Sequence, residues 1–198
     1  MPGTAEIKLY LSGLWLLVLG NPAGMKQLDV SDRGLMRSFW AIVWCLPAMA
    51  LSWIWWSRLY LRGMPKDTDL GSIFFFRLAM LEMTNWLLPL VLLGLLAWGL
   101  GLGRKYYAMV VAVNWLSVPY AYAYGLLSVL LMLAPAMTGF LSLVWLALLM
   151  ALIFSISRIF RAICGPHPLM VATLTMVLIV PTMLLSETLE RFLGIYPG

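Results

Sequence analysis

Tyr106–Ser157 reads YYAMVVAVNWLSVPYAYAYGLLSVLLMLAPAMTGFLSLVWLALLMALIFSIS, 52 residues without an Asp, Glu, Lys or Arg. Water does not dissolve such a stretch, and a helix needs roughly 20 apolar residues to cross about 30 Å of hydrocarbon. The run is long enough for two crossings and a tight turn, so the chain reads as an integral membrane protein. Its composition agrees: of 198 residues, 63% are hydrophobic and 11% charged. The mean hydropathy is +0.95. A soluble domain carries about 25% charged residues.

Working outward from that run, four more boundaries emerge. The third span is Tyr106 to Leu133, with Pro119 as a potential kink, and the fourth is Phe140 to Ile159, after an uncharged turn around Pro135. Gly165-Pro166-His167-Pro168 then breaks the chain before a fifth span, Leu169 to Leu185, and a tail with Glu187, Glu190 and Arg191. Upstream, Arg104-Lys105 marks a short turn after a second span, Phe74 to Gly101, for which Ser72 is a candidate cap. The first span is Ser38 to Ser57, with Trp40, Trp44, Trp53, Trp55 and Trp56 toward its two ends, where indoles favour the lipid–water boundary. A polar loop, Arg62 to Asp69, follows it.

Residues 1–37 form a separate N-terminal segment. Ile7–Leu19 is too short to span and is predicted to be an amphipathic helix lying in the interface plane, with Thr4 as its cap and Trp15 at headgroup depth. Glu6 spoils a basic signal-peptide start and no clean cleavage site follows, so the segment is read as retained. Asn21-Pro22 stops this helix and caps a short turn. Ser31 or Asp32 caps the next helix. The expected fold is all-α: an interfacial helix, then an up-down bundle of five transmembrane helices over residues 38–198.

Orientation follows from Lys and Arg. With the N-terminus cytoplasmic, Lys8, Lys26, Arg33, Arg37, Arg104, Lys105, Arg158 and Arg161 fall inside, and Arg58, Arg62, Lys66, Arg77 and Arg191 outside. Eight against five favours a cytoplasmic N-terminus and an external C-terminus. The net charge of +5 is scattered between apolar runs rather than gathered with aromatics, which argues against nucleic acid.

Glu82 is the leading candidate for chemistry. A carboxylate inside a span costs a few kcal/mol, so it must face the bundle with a partner, snorkel outward or carry a proton. Asn85 and Pro89 follow on its face. The antiparallel third span brings Tyr120, Tyr122 and Tyr124 to similar depth, and a phenol donating to Glu82 or Asn85 is expected. Two readings stay open: a proton or cation site, or a polar contact that sets helix register. Asn114 and Ser117 form a second polar pair in the same span. Ala108/Ala112, Ala121/Gly125 and Ala97/Gly101 are small-residue pairs that let helices approach. Arg158 and Arg161 share a helix face and are candidate lipid-headgroup contacts. His167 reads as a plain loop residue.

Metal and cofactor chemistry is not expected. The two cysteines, Cys45 and Cys164, sit in or beside apolar runs, and one histidine supplies no zinc-type ligand set. HExxH, GxSxG and paired intramembrane carboxylates are all missing from the sequence, which argues against an enzyme. The glycines of Gly99-Leu100-Gly101-Leu102-Gly103 follow no strand and carry no P-loop lysine; they end a membrane helix.

Three stretches carry a family resemblance: RGLMRSFW at Arg33–Trp40, YYAMVVAVNW at Tyr106–Trp115, and Tyr124-Gly125 with Pro135 after it. With a cytoplasmic N-terminal segment and five spans, the chain resembles the Yip1-like membrane proteins, in particular small bacterial members of that set. The acidic-leucine-aromatic-Gly-Pro motif of eukaryotic members is missing, so their trafficking links do not carry over. The resemblance implies no catalytic residues, and the expected role is that of a non-catalytic bundle in a bacterial inner membrane that organises membrane or binds another membrane protein. Its expected partners are lipids, further copies of itself or another membrane protein. The alternative is a small oligomeric transporter or channel using Glu82.

Overall fold

The computed structural model describes residues 2–65 and 70–196; Lys66 and Asp69 of the expected polar loop lie outside them. The described residues form seven α-helices: α1 (Thr4–Val18), α2 (Asp32–Ser38), α3 (Ala41–Arg62), α4 (Ser72–Gly99), α5 (Gly103–Leu133), α6 (Thr138–Cys164) and α7 (Pro168–Leu193). Five stretches are long and apolar enough to cross a membrane: Asp32–Arg62, in which α2 and α3 run on from one another, and the helices α4, α5, α6 and α7. The protein is a helical membrane bundle with multiple spans.

Local chemistry sets the ends. Ser31 accepts from the Gly34 N–H at 3.1 Å and caps α2, and Asn21 accepts from the Ala23 N–H at 3.0 Å to start a 3-10 turn. Thr4 and Ser72 are not caps. Each already has a helical backbone, so the extended N-cap position falls one residue earlier, on Gly3 and Gly71. Arg104 and Lys105 are not the turn before α5 but lie in its first helical turn; the reversal is made at Gly101, whose φ of +69° suits a residue without Cβ. Gly101 thus leaves the helix that would have paired it with Ala97. The residues expected as a polar tail are helical, and Glu187 and Arg191 form an (i, i+4) ion pair at 2.8 Å on α7.

Helix α5 is the axis of the bundle, flanked by α3 and α6, while α7 links α6 to α4. The α3–α5 pairing is the most extensive, and it is parallel. Ser38 meets Asn114, Cys45 meets Ser117, and Ser52 meets Ser128, so both chains climb 14 residues together. Gly125 permits the approach: a Cβ there would lie 2.9 Å from the Ala48 carbonyl oxygen. In lipid, such close backbone contact and interhelical hydrogen bonds hold helices together, because acyl chains are as apolar as leucine. Near the start of α5, Met109, Val110, Val111, Ala112 and Trp115 are all fully buried. The interior around these five residues is close-packed.

Helix α1 fills it further, docked on α5 and α6. Leu14 and Leu17 are buried, while Trp15 is 64% exposed on the opposite face. Tyr10 packs on Trp115 with ring centroids 5.2 Å apart, and its hydroxyl donates to Glu6 at 2.9 Å. Burial first, then that bond to Glu6, pushes the Tyr10 phenol up to about 12. Glu6 pairs with Arg37 at 2.6 Å, and Arg158 Nε donates to the Val18 carbonyl at 3.0 Å. The helix expected to lie along the interface is therefore clipped to the bundle at both of its ends.

Candidate functional site

The other half of the bundle is open. Helices α3 and α4 barely touch through their backbones, and α5 forms the wall behind them. Two adjoining cavities result. One, of about 240 Å³, is lined by Ile42, Cys45, Met49, Glu82, Asn85, Trp86, Ser117 and Ala121. The second, of about 490 Å³, includes Ser52, Trp53, Trp55, Trp56, Tyr124, Ser128, Trp145 and Glu190, and again Glu82 and Asn85. Glu82 and Asn85 thus stand where the two meet.

Sequence position explains this placement. Glu82 and Asn85 lie three apart on one face of α4, and Pro89 one turn on removes an N–H and frees the Asn85 carbonyl from its usual helical acceptance. Trp86 lines the smaller cavity and Trp53 the larger, one on each side of Glu82.

The expected donors to this pair are not the ones observed. No tyrosine hydroxyl bonds to Glu82 or Asn85 among the described residues. Glu82 Oε1 accepts from Trp53 Nε1 at 3.4 Å, a long bond, and Asn85 Nδ2 donates to Ser186 Oγ of α7 at 3.0 Å. Tyr120 shares a 2.9 Å bond with Ser155 of α6, Tyr122 is 46% exposed, and Tyr124 packs beside Trp145 at 6.4 Å. Tyr124 nonetheless lines the same cavity as Glu82. The rotation of α5 turns its phenols toward α6 instead.

The Asn114–Ser117 pair also divides. Asn114 Nδ2 donates to Ser38 at 2.9 Å, and Ser117 Oγ donates to the Asn114 backbone carbonyl at 2.6 Å. Asn114 is wholly buried, its Oδ1 unpartnered, and it ties α5 to α2 away from the cavity. Ser117 faces the smaller cavity beside Cys45 Sγ at 3.6 Å. Trp86 Nε1 is buried without a partner. Trp53, Trp86, Ser186 and Glu190 belong to the site although sequence reasoning did not select them. In the sequence Trp53 reads as a boundary residue, Trp86 is not singled out, and Glu190 reads as part of a tail.

Chemically, the larger cavity offers two carboxylates and five aromatic side chains, with no Lys or Arg among the described residues that line it. Such a lining suits a cationic group on an apolar body, through charge and through the negative faces of the rings. The two ion pairs among the described residues, Glu6–Arg37 and Glu187–Arg191, leave Glu82 and Glu190 without a cation.

Arg158 and Arg161 lie elsewhere, at the end of α6. They line a cavity of about 310 Å³ together with His167, which lies, as expected, in the loop between α6 and α7. A further pocket of about 360 Å³, lined chiefly by apolar residues, lies between α1, α5 and α6, with the Tyr120–Ser155 bond at its wall.

Comparison with family models, with curated proteins and with solved structures finds no match for the chain. The Yip1-like resemblance accordingly rests on the sequence alone.

Proposed function

We propose that this multi-pass membrane protein is a non-catalytic binding protein whose cleft between α3 and α4 receives a cationic, apolar-bodied group, presented by a lipid-soluble molecule or by a membrane partner. One observation carries the reading: Glu82 is held by a single long indole bond at the junction of two cavities. A carboxylate at that depth has a standing demand for a donor, and a ligand that supplies one is favoured by a few kcal/mol over a neutral analogue. The Yip1-like resemblance is in keeping with such a role, and so is a bacterial inner membrane with the N-terminus inside.

The test uses the purified chain in mild detergent. Tryptophans 53, 55 and 56 line the cleft, so their fluorescence reports occupancy. Dodecyltrimethylammonium should give a saturable change, with dodecanol and dodecanoate giving none. Glu82→Gln should weaken the cation at least about tenfold, the equivalent of about 1.4 kcal/mol. Equal responses to the three amphiphiles would remove the reading.

The second reading, an oligomeric transporter or channel with Glu82 as its proton or cation site, draws on the same meeting of cavities. It ranks lower because the interior around the fully buried run Met109–Ala112 is close-packed. Proton flux in liposomes that disappears in Glu82→Gln would promote it.

A further inference from the structure

Independently of the cleft, we propose that Arg158, Arg161 and His167 form a binding site for the phosphate of an anionic phospholipid, seated between the end of α6 and the start of α7. The two arginines lie at i and i+3 on α6, so their guanidinium groups share one face. Gly165, with φ of +98°, reverses the chain within three residues and returns His167 to the same cavity. His167 is also the N-cap of α7, a 26-residue helix. Pro168 has no N–H and the His167 N–H is taken by the Gly165 carbonyl, but the N–H groups of Leu169 and Met170 have no intrahelical acceptor, and that end carries about half a positive charge. Three side chains and a helix end from two elements therefore bring donors to one cavity of about 310 Å³.

None of this charge is neutralised from within. The described residues contain two ion pairs, and neither uses Arg158 or Arg161. Arg158 commits only its Nε, to the Val18 carbonyl, and stands 6.0 Å from the Phe154 ring centroid. Its Nη2 rests against Gly20, so the bidentate geometry that guanidinium makes with phosphate falls to the exposed Arg161, which makes no side-chain hydrogen bond among the described residues. Apart from Ser157 and the flanking prolines, the rest of the wall is apolar: Phe154, Val171 and Ala172. A free phosphate has no use for that wall, whereas a diacyl lipid lays its chain along it and reaches the arginines with its headgroup. The position suits this ligand, since both helices pass directly from the cavity into membrane-spanning sequence.

The experiment is native mass spectrometry of the full chain released from membranes of equal phosphatidylglycerol and phosphatidylcholine. The parent should retain phosphatidylglycerol preferentially. Arg161→Gln, which leaves the Arg158–Val18 clip intact, should reduce that preference roughly tenfold, as expected for one charge-assisted hydrogen bond lost. Arg161→Lys should restore part of it, because it keeps charge but not the fork. His167→Gln, in a surface loop, gives a second variant should Arg161→Gln prove poorly folded, and its preference should also fall. Inorganic phosphate is the competing arm. If it strips phosphatidylglycerol at concentrations where sulfate-free buffer does not, the site serves a soluble anion and the lipid assignment is overturned. Equal retention of both lipids by the parent, or an unchanged preference in both well-folded variants, overturns the site altogether. Amphiphile binding at the Glu82 cleft should be unaffected in either variant, which separates failure here from failure there.

Discussion

Replacing Gly125 by alanine tests the central packing of the bundle with a single methyl group. The new Cβ would lie 2.9 Å from the Ala48 carbonyl oxygen and 3.2 Å from both its Cα and its Cβ. The nearest contacts are backbone, so no rotamer change relieves them and α3 must move away from α5. Overpacking of this kind costs about 1–3 kcal/mol. Against it stands the helix propensity gained on replacing glycine, worth up to about 1 kcal/mol. The net expectation is a loss of about 1–2 kcal/mol, and Gly125→Leu should be worse. Gly139→Ala is the control: it is also helical, but nothing lies within 4 Å of the added methyl, so the propensity gain stands alone. Unfolding of the three purified variants by titrated SDS, followed by far-UV circular dichroism, separates the outcomes. If Gly125→Ala is as stable as Gly139→Ala, α3 and α5 do not meet at Ala48, and the parallel pairing that forms the back of the cleft is wrong.

Three further outcomes follow from other contacts. Glu6→Gln should release the Arg37 pair and weaken the Tyr10 bond, costing about 1 kcal/mol for a partly buried ion pair and raising protease cleavage in the 19–31 connection; unchanged cleavage would count against the docking of α1. A double-mutant cycle on Ser38→Ala and Asn114→Ala should give a coupling of about 0.6 kcal/mol, the usual worth of an interhelical polar contact, and zero coupling would place the two side chains apart. The Ser31 hydroxyl and N–H hold the Asp29 carboxyl below its ordinary range. Its contribution to the elbow before α2 is therefore present at neutral pH, and it is lost as pH falls through the lowered value. Amide exchange at Ser31 should speed up at acid pH in the parent, and Asp29→Asn should remove that pH dependence.

The spans were legible because hydropathy adds over 20 residues, and an error of one turn changes little. Side-chain partners were not, because they depend on how each helix is rotated about its own axis. Glu82 and Tyr124 were placed at one depth, and they do share a cavity. Yet a modest rotation of α5 gives Tyr120 to Ser155, leaving Glu82 to Trp53. Asn85 finds its partner 101 residues downstream, on a turn of α7 that looked like the start of a polar tail. Charged residues there masked the helix, since a hydropathy window penalises Glu187 and Glu190 whichever way they face. His167 was hidden similarly: two flanking prolines announce a break without saying where the chain returns.

The clip between Arg158 and Val18 spans 140 positions in the chain. A ribosome working at about 5–20 residues per second needs about 7–28 s to make that distance. For most of that interval the first helix has been synthesised while its resting place on α5 and α6 is incomplete. During biogenesis it must be sheltered by the insertion machinery or by the bilayer surface, and its greasy face is then the exposed liability of the nascent protein.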